Sequence, residues 1–239
     1  MLTKNAEATL DKTLQALQSF PEIVILDNGS TDGTLDLARQ FANVRIHQMP
    51  FIGFGPLRNE AVKFASNDWI LAIDSDEIPS PSLLSELQNL QLDPHQVYAL
   101  PRHNYYRGKK IRGCGWGSEW VVRLYHRKQA RFSDSEVHES LIVGNLKVVR
   151  LSFPLIHTPY RSTAEFLAKM QHYSTLFAKQ NQGKKKSSLG KAIGHGLFAF
   201  LRSYLIKGGF LSGKEGFIIS IYNGNTAFYK YLKLDEKRG

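Results

Sequence analysis

Apolar residues in the first ninety positions come in short, evenly spaced blocks. The runs EIVIL (22–26) and WILAI (69–73) are apolar and largely β-branched without polar alternation, the pattern of parallel strands covered on both faces. Between them, TDGTLDLARQFA places Leu35, Leu37, Ala38 and Phe41 at helical spacing, with Ser30, Thr31 or Asp32 available as a cap. VRIH (44–47) predicts a short strand and GPLRNEAVKFA another helix. With a leading helix over 6–19, the pattern is that of βαβαβ units. Only Met1, Leu2 and Thr3 precede the leading helix where a strand is expected, so the natural chain is expected to start upstream.

Beyond PSPSLLSELQNL, a helix opened by Pro81, strand-like pieces alternate with aromatics, and Gly113, Gly115 and Gly117 bracket Trp116. This texture predicts hairpins and loops beside the parallel core. A helical pattern begins at Thr163 and runs to NQGKKKSS, a flexible break, followed by a segment rich in aromatics and lysine. The expected organisation is a nucleotide-binding half over 1–90, an acceptor-binding and catalytic half of the same domain over 91–162, and a helical segment over 163–239.

Composition narrows this picture. The chain has 239 residues and a net charge of +10, but the charge is uneven. Residues 1–183 hold 20 Lys and Arg against 18 Asp and Glu, whereas residues 184–239 hold 11 against 3. A single cysteine, Cys114, excludes an intrachain disulfide and a multi-cysteine metal site. The start MLTKNAEATL lacks the form of a signal peptide, and no apolar run approaches the length of a membrane span, so a cytoplasmic location is expected. Clustered lysines and aromatics also raise nucleic-acid binding, but no nucleic-acid module is matched and that role leaves the strand-end aspartates unexplained.

Those aspartates carry the chemistry. EIVIL runs into Asp27 and WILAI runs into Asp74, and ligands of open parallel sheets bind beyond the carboxyl ends of the strands. In DSDE (74–77), Asp-x-Asp suits a hard divalent cation that keeps sites free for phosphate oxygens. Either turn alone could be simple helix capping; two together, each followed by a helix, point to a site.

In this order and spacing, LTKNAE, ILDNGSTDGT, GPLRNEAVKFA and ILAIDSDE resemble the nucleotide-sugar half of family 2 inverting glycosyltransferases with the GT-A fold, an α/β Rossmann-like, mostly parallel sheet flanked by helices. The later RLYH, VHE, H-x-P-Y and the aromatic tail resemble a narrower group, the bacterial lipopolysaccharide and lipooligosaccharide core β-1,4-glucosyltransferases. The resemblance implies transfer of glucose from UDP-glucose, with Mg²⁺ or Mn²⁺, onto a lipid-linked core oligosaccharide. It implies that Thr3 and Glu7 border the nucleoside, Asp27 accepts from the base, Asp74 and Ser75 lie near the ribose or phosphates, and Asp76 ligates the metal, with His138 as a further metal ligand. Arg58 either helps hold the diphosphate or pairs with a strand-end aspartate. Glu77 reads as a solvated neighbour.

Inversion needs a base for the acceptor hydroxyl. Chemistry alone leaves Asp134, Glu136 and Glu139 open; the resemblance favours Glu139. Trp116 and Trp120 are candidates for stacking on acceptor sugars, beside Arg107, Lys109, Lys110 and Arg112. In the tail, Leu197, Phe198, Phe200, Leu201, Tyr204 and Leu205 lie near Arg202 and Lys207, as in a helix lying on an anionic membrane surface. That places the protein peripherally on the cytoplasmic face of the inner membrane. The alternatives are another nucleotide sugar or cell-surface acceptor, a nucleotidyltransferase, or a non-catalytic nucleotide-sugar-binding homologue.

Overall fold

The computed structural model describes residues 1–134 and 139–237. They form two compact units, one of residues 1–102 and 119–157, the other of residues 103–118 and 158–239.

The first unit opens with β1 (Leu2–Thr3), α1 (Glu7–Ala16), β2 (Ile23–Asp27), α2 (Thr34–Ala38), β3 (Val44–Gln48) and α3 (Phe54–Lys63). The three strands form a parallel sheet in the order β1-β2-β3, with Leu2 beside Leu26 and Thr3 beside Asp27. Next come β4 (Trp69–Leu71), β5 (Glu77–Pro79) and α4 (Pro81–Gln88), whose start is fixed by Pro81 and by Ser80 Oγ accepting from Leu83 N at 3.2 Å. Then follow β6 (Gln96–Tyr106), whose last four residues belong with β7 (Lys109–Lys110) to the second unit, and, back in the first unit, β8 (Glu119–His126), β9 (Arg131–Phe132), β10 (Leu141–Ile142), β11 (Lys147–Arg150) and β12 (Leu155–His157). A mixed sheet runs β4-β8-β6-β12-β5, with β11 parallel to β6.

The α/β class and the GT-A-like arrangement hold, with two local corrections. The expected helix after Asp32 is a single short turn, Thr34–Ala38, whose start is capped by Asp32 Oδ1 accepting from Thr34 N at 3.1 Å and Glu7 Oε2 accepting from Gly33 N at 3.0 Å. The run expected as a parallel strand, WILAI, pairs antiparallel with β8, Trp69 opposite His126. Its apolar pattern reports burial and is silent about the neighbour's direction.

Leu10, Leu14, Ile25, Leu83, Leu100 and Leu155 are fully buried together in the core of this unit. Each contributes about 1.5–3 kcal/mol by leaving water. An apolar cavity of about 470 Å³ lies beside β2 and β4. Its walls include Ile23, Val24, Trp69 and Tyr125 but none of Asp27, Asp74, Asp76 and Glu139, so it is not the candidate site described below.

The second unit holds α5 (Thr163–Asn181), α6 (Leu189–Leu201), a π turn over Arg202–Ile206, a 3₁₀ turn over Gly209–Ser212 and α7 (Gly213–Glu236). Ser162 caps α5 through Glu165 N, and Ser188 caps α6 through Lys191 N, both at 3.3 Å. Tyr106, Ile111, Cys114, Phe166 and Ile219 form its apolar centre. Among the described residues no helix is long and apolar enough to cross a membrane.

Candidate functional site

The parallel pairing of β1 with β2 sets Thr3 beside Asp27 at the end of β2. Asp27 is fully buried, and both carboxylate oxygens accept. Oδ1 takes Gly29 N at 3.0 Å and Ser30 N at 2.9 Å; Oδ2 takes Thr3 Oγ1 at 3.1 Å and the Ser30 hydroxyl. Burial pushes its pKa up, but these four donors outweigh it and hold the carboxyl below its ordinary value. Glu7 is exposed, its carboxylate turned to Gly33 N at 3.0 Å. Ser75 is anchored by its carbonyl, which accepts from Thr13 Oγ1 at 3.1 Å.

The second carboxylate group follows β4. Asp74 Oδ1 accepts from Arg58 Nη2 at 2.6 Å and Oδ2 from Arg123 Nη2 at 2.6 Å. Desolvation alone raises the Asp74 pKa; Arg123 and Arg58 reverse this and hold it well below the usual carboxylate range. Arg123 also donates to Glu77 Oε1 at 2.7 Å, as does Arg102 Nη1 at 3.0 Å, while Glu77 Oε2 accepts from Asp74 N at 3.1 Å. Burial lowers the Arg123 pKa, but Asp74 and Glu77 together raise it above its ordinary value. Glu77 is 0% exposed. The expectation of a solvated neighbour is therefore corrected: Glu77 is a buried structural carboxylate held by two arginines.

Arg58 reaches the other way too, donating from Nε to Glu139 Oε1 at 2.9 Å. Of the two readings of Arg58, the ion pair with a strand-end aspartate is present. A chain of alternating charge thus runs Glu139, Arg58, Asp74, Arg123, Glu77, Arg102, Glu119. Buried or half-buried ion pairs of this kind are costly to break from one side, so the chain fixes the position of each carboxylate. Asp134 is exposed and pairs locally with Arg131 at 2.9 Å, whereas Glu136 and His138 lie outside the described residues.

Asp76 points elsewhere. Its Oδ2 lies 3.4 Å from His157 Nε2. Antiparallel pairing of β12 with β5 puts His157 opposite Glu77, one position from Asp76, which is why the two side chains meet. Two ligands about 2.1 Å from one ion and at right angles stand roughly 3 Å apart, so this pair fits a single Mg²⁺ or Mn²⁺. Among the described residues no third His, Cys, Asp or Glu joins them. His157 is the His of H-x-P-Y, and only the register of β12 against β5, which has no local sequence signature, brings it to Asp76.

Trp120 is 44% exposed on β8, with the Arg150 guanidinium 4.9 Å from its ring centre. Trp116 falls in the other unit, its ring stacked on Tyr160 with centres 5.3 Å apart.

Comparison with known proteins adds the following. The model of the family described as Glycosyl transferase family 2 matches residues 1–141. The lipopolysaccharide core biosynthesis glycosyltransferase LpsC of Rhizobium meliloti is 30% identical over 98% of this chain and 89% of its own length. The uncharacterized glycosyltransferase RT0209 of Rickettsia typhi is 28% identical over 99% of this chain and 85% of its own. A crystal structure of S. aureus TarS residues 1–349 with UDP superposes with a TM-score of 0.49 and 16% identity, covering 98% of this chain and 88% of that one.

Proposed function

Since this chain belongs to glycosyl transferase family 2, we propose that it is a metal-dependent, inverting hexosyltransferase that moves glucose from UDP-glucose onto the heptose-containing inner core of a lipopolysaccharide. The observation that carries the reading is the Asp76–His157 pair, one hard carboxylate donor and one imidazole donor, beside an arginine-held Asp74 and Glu139. The acceptor class is drawn from the printed role of the LpsC relative.

Thr3, Glu7 and Asp27 border the nucleoside; the expected hydrogen bond from the base to Asp27 has no acceptor position left, because its buried carboxylate already takes Thr3 Oγ1, Gly29 N, Ser30 N and the Ser30 hydroxyl, so Asp27 shapes the Gly29–Ser30 turn instead. Asp74 and Ser75 line the path to the ribose and phosphates, with Arg58 behind Asp74. A divalent cation held by Asp76 and His157 would neutralise charge building on the departing diphosphate. Glu139 removes the proton of the acceptor hydroxyl. The acceptor hydroxyl's oxygen then forms the new bond to the anomeric carbon from the face opposite the leaving group, the electron pair of the broken bond leaves on UDP, and the proton stays on Glu139. Arg58 orients the Glu139 carboxylate. Trp120 in the first unit offers ring surface to an acceptor sugar, and Trp116 offers the same within the second unit.

The second unit supports a membrane-bound acceptor. Leu189, Ile193, Leu197, Leu201 and Leu205 repeat every four residues and are each at least 40% exposed, with exposed Lys184, Lys185, Lys186 and Lys191 nearby in sequence. Such a stripe beside lysines suits an anionic bilayer surface, at the cytoplasmic face of the inner membrane.

The test is incubation with radiolabelled UDP-glucose, isolated core oligosaccharide and Mn²⁺. Metal-dependent release of UDP with label on the acceptor supports the reading; release of pyrophosphate, or UDP binding without turnover, overturns it.

A further inference from the structure

The glycine-rich stretch RGCGWG plays no part in the proposed chemistry beyond Trp116, yet it shapes a second cavity. This cavity of about 470 Å³ lies wholly within the second unit, lined among others by Trp116, His195, Arg202, Ser203, Lys207 and Asn223. No carboxylate lines it, and among the described residues neither Arg202 nor Lys207 has an ion-pair partner.

The two cations meet there because of an unusual backbone. Residues five apart in an α-helix point roughly 140° away from each other. Here the segment Arg202–Ile206 is a π turn, closed by Lys207 N donating to Arg202 O at 2.8 Å, and the wider turn brings both side chains to one cavity. π turns are uncommon and concentrate at functional sites. The glycine loop holds this one in place: Cys114 N donates to Lys207 O at 2.9 Å, and a Cβ at Gly113 would collide with the Gly208 carbonyl. The floor is polar and tied together. Asn223 Nδ2 donates to Ser203 Oγ at 2.9 Å and to Cys114 O at 3.3 Å, and Ser203 Oγ lies 3.0 Å from Ser220 Oγ.

We propose that this pocket binds the phosphate of a phosphorylated saccharide. Arg202 supplies a guanidinium fork for two phosphate oxygens, Lys207 a point charge, and Trp116 an apolar surface for sugar C–H groups. Identification of that saccharide with part of the acceptor rests on the glycosyltransferase reading; the binding itself does not.

Calorimetry on the full chain tests it with mannose 6-phosphate, mannose, inorganic phosphate and dihexanoylphosphatidic acid, and separately with UDP. Mannose 6-phosphate is expected to bind most tightly, and R202A/K207A to weaken it by about tenfold or more while leaving UDP affinity and Tm unchanged. Equal binding of mannose or of inorganic phosphate, tighter binding of the phosphatidic acid, an unaffected double variant, or no heat at about 10 mM mannose 6-phosphate overturns the proposal. UDP binding with no mannose 6-phosphate binding removes this inference alone. Mannose 6-phosphate binding without UDP binding removes the donor reading alone.

Discussion

Asp76 Oδ2 stands 3.4 Å from His157 Nε2, brought there by the pairing of β5 with β12. If these two hold the cation, H157A lowers Mn²⁺ affinity measured in the presence of UDP by at least the roughly 10-fold that losing a mere outer-shell partner costs. Metal-free UDP binding stays as in the wild type. Unchanged Mn²⁺ titration of H157A removes His157 from the metal site.

Glu77 is the buried anchor of the charge chain, accepting from Arg102 and Arg123. Removing one side of a buried ion pair leaves the other uncompensated, so E77Q is expected to cost about 3 kcal/mol, read as a lower urea midpoint with the same slope. A midpoint equal to that of the wild type contradicts a structural role for this carboxylate.

How far the sequence revealed these roles depends on range. The β2 strand and the helix containing Arg58 were legible, because their apolar spacing is set by neighbours close in the chain. That Asp74 and Asp76 follow a strand was legible from the apolar run before them. Glu77 was misread because a run of three carboxylates in four residues looks solvated, while the arginines that neutralise Glu77 come 25 and 46 residues later. His157 and the π turn were hidden for the same reason. Strand register and a turn clamped by a distant glycine loop leave no local periodicity.

Acid stability tests the arginine-held carboxylate. The Asp74 pKa is depressed from 3.8 in the folded protein, so its contribution is fully present above about pH 4 and is lost as pH falls below it. Urea unfolding between pH 2 and 6 is expected to show stability falling on the acid side, with a shallower fall in D74N. An identical acid slope in D74N contradicts the assignment.

The exposed leucine stripe predicts lipid binding that depends on both charge and apolar contact. Neutralising Lys184, Lys185 and Lys186 to serine removes about 3 kcal/mol of attraction, roughly a 100-fold fall in partition to anionic vesicles. L197D, at a position 59% exposed, lowers partition without lowering Tm. Equal sedimentation of these variants with phosphatidylglycerol vesicles contradicts the surface assignment.

Proton NMR of the reaction in progress tests the central claim most directly. With UDP-glucose, core oligosaccharide and Mn²⁺, the α-anomeric signal of the donor is expected to give way to a β-anomeric product signal as UDP appears, and E139Q to slow this by about 10²- to 10⁴-fold while still binding UDP. An α-linked product, or E139Q turnover at the wild-type rate, would contradict inversion with Glu139 as the base.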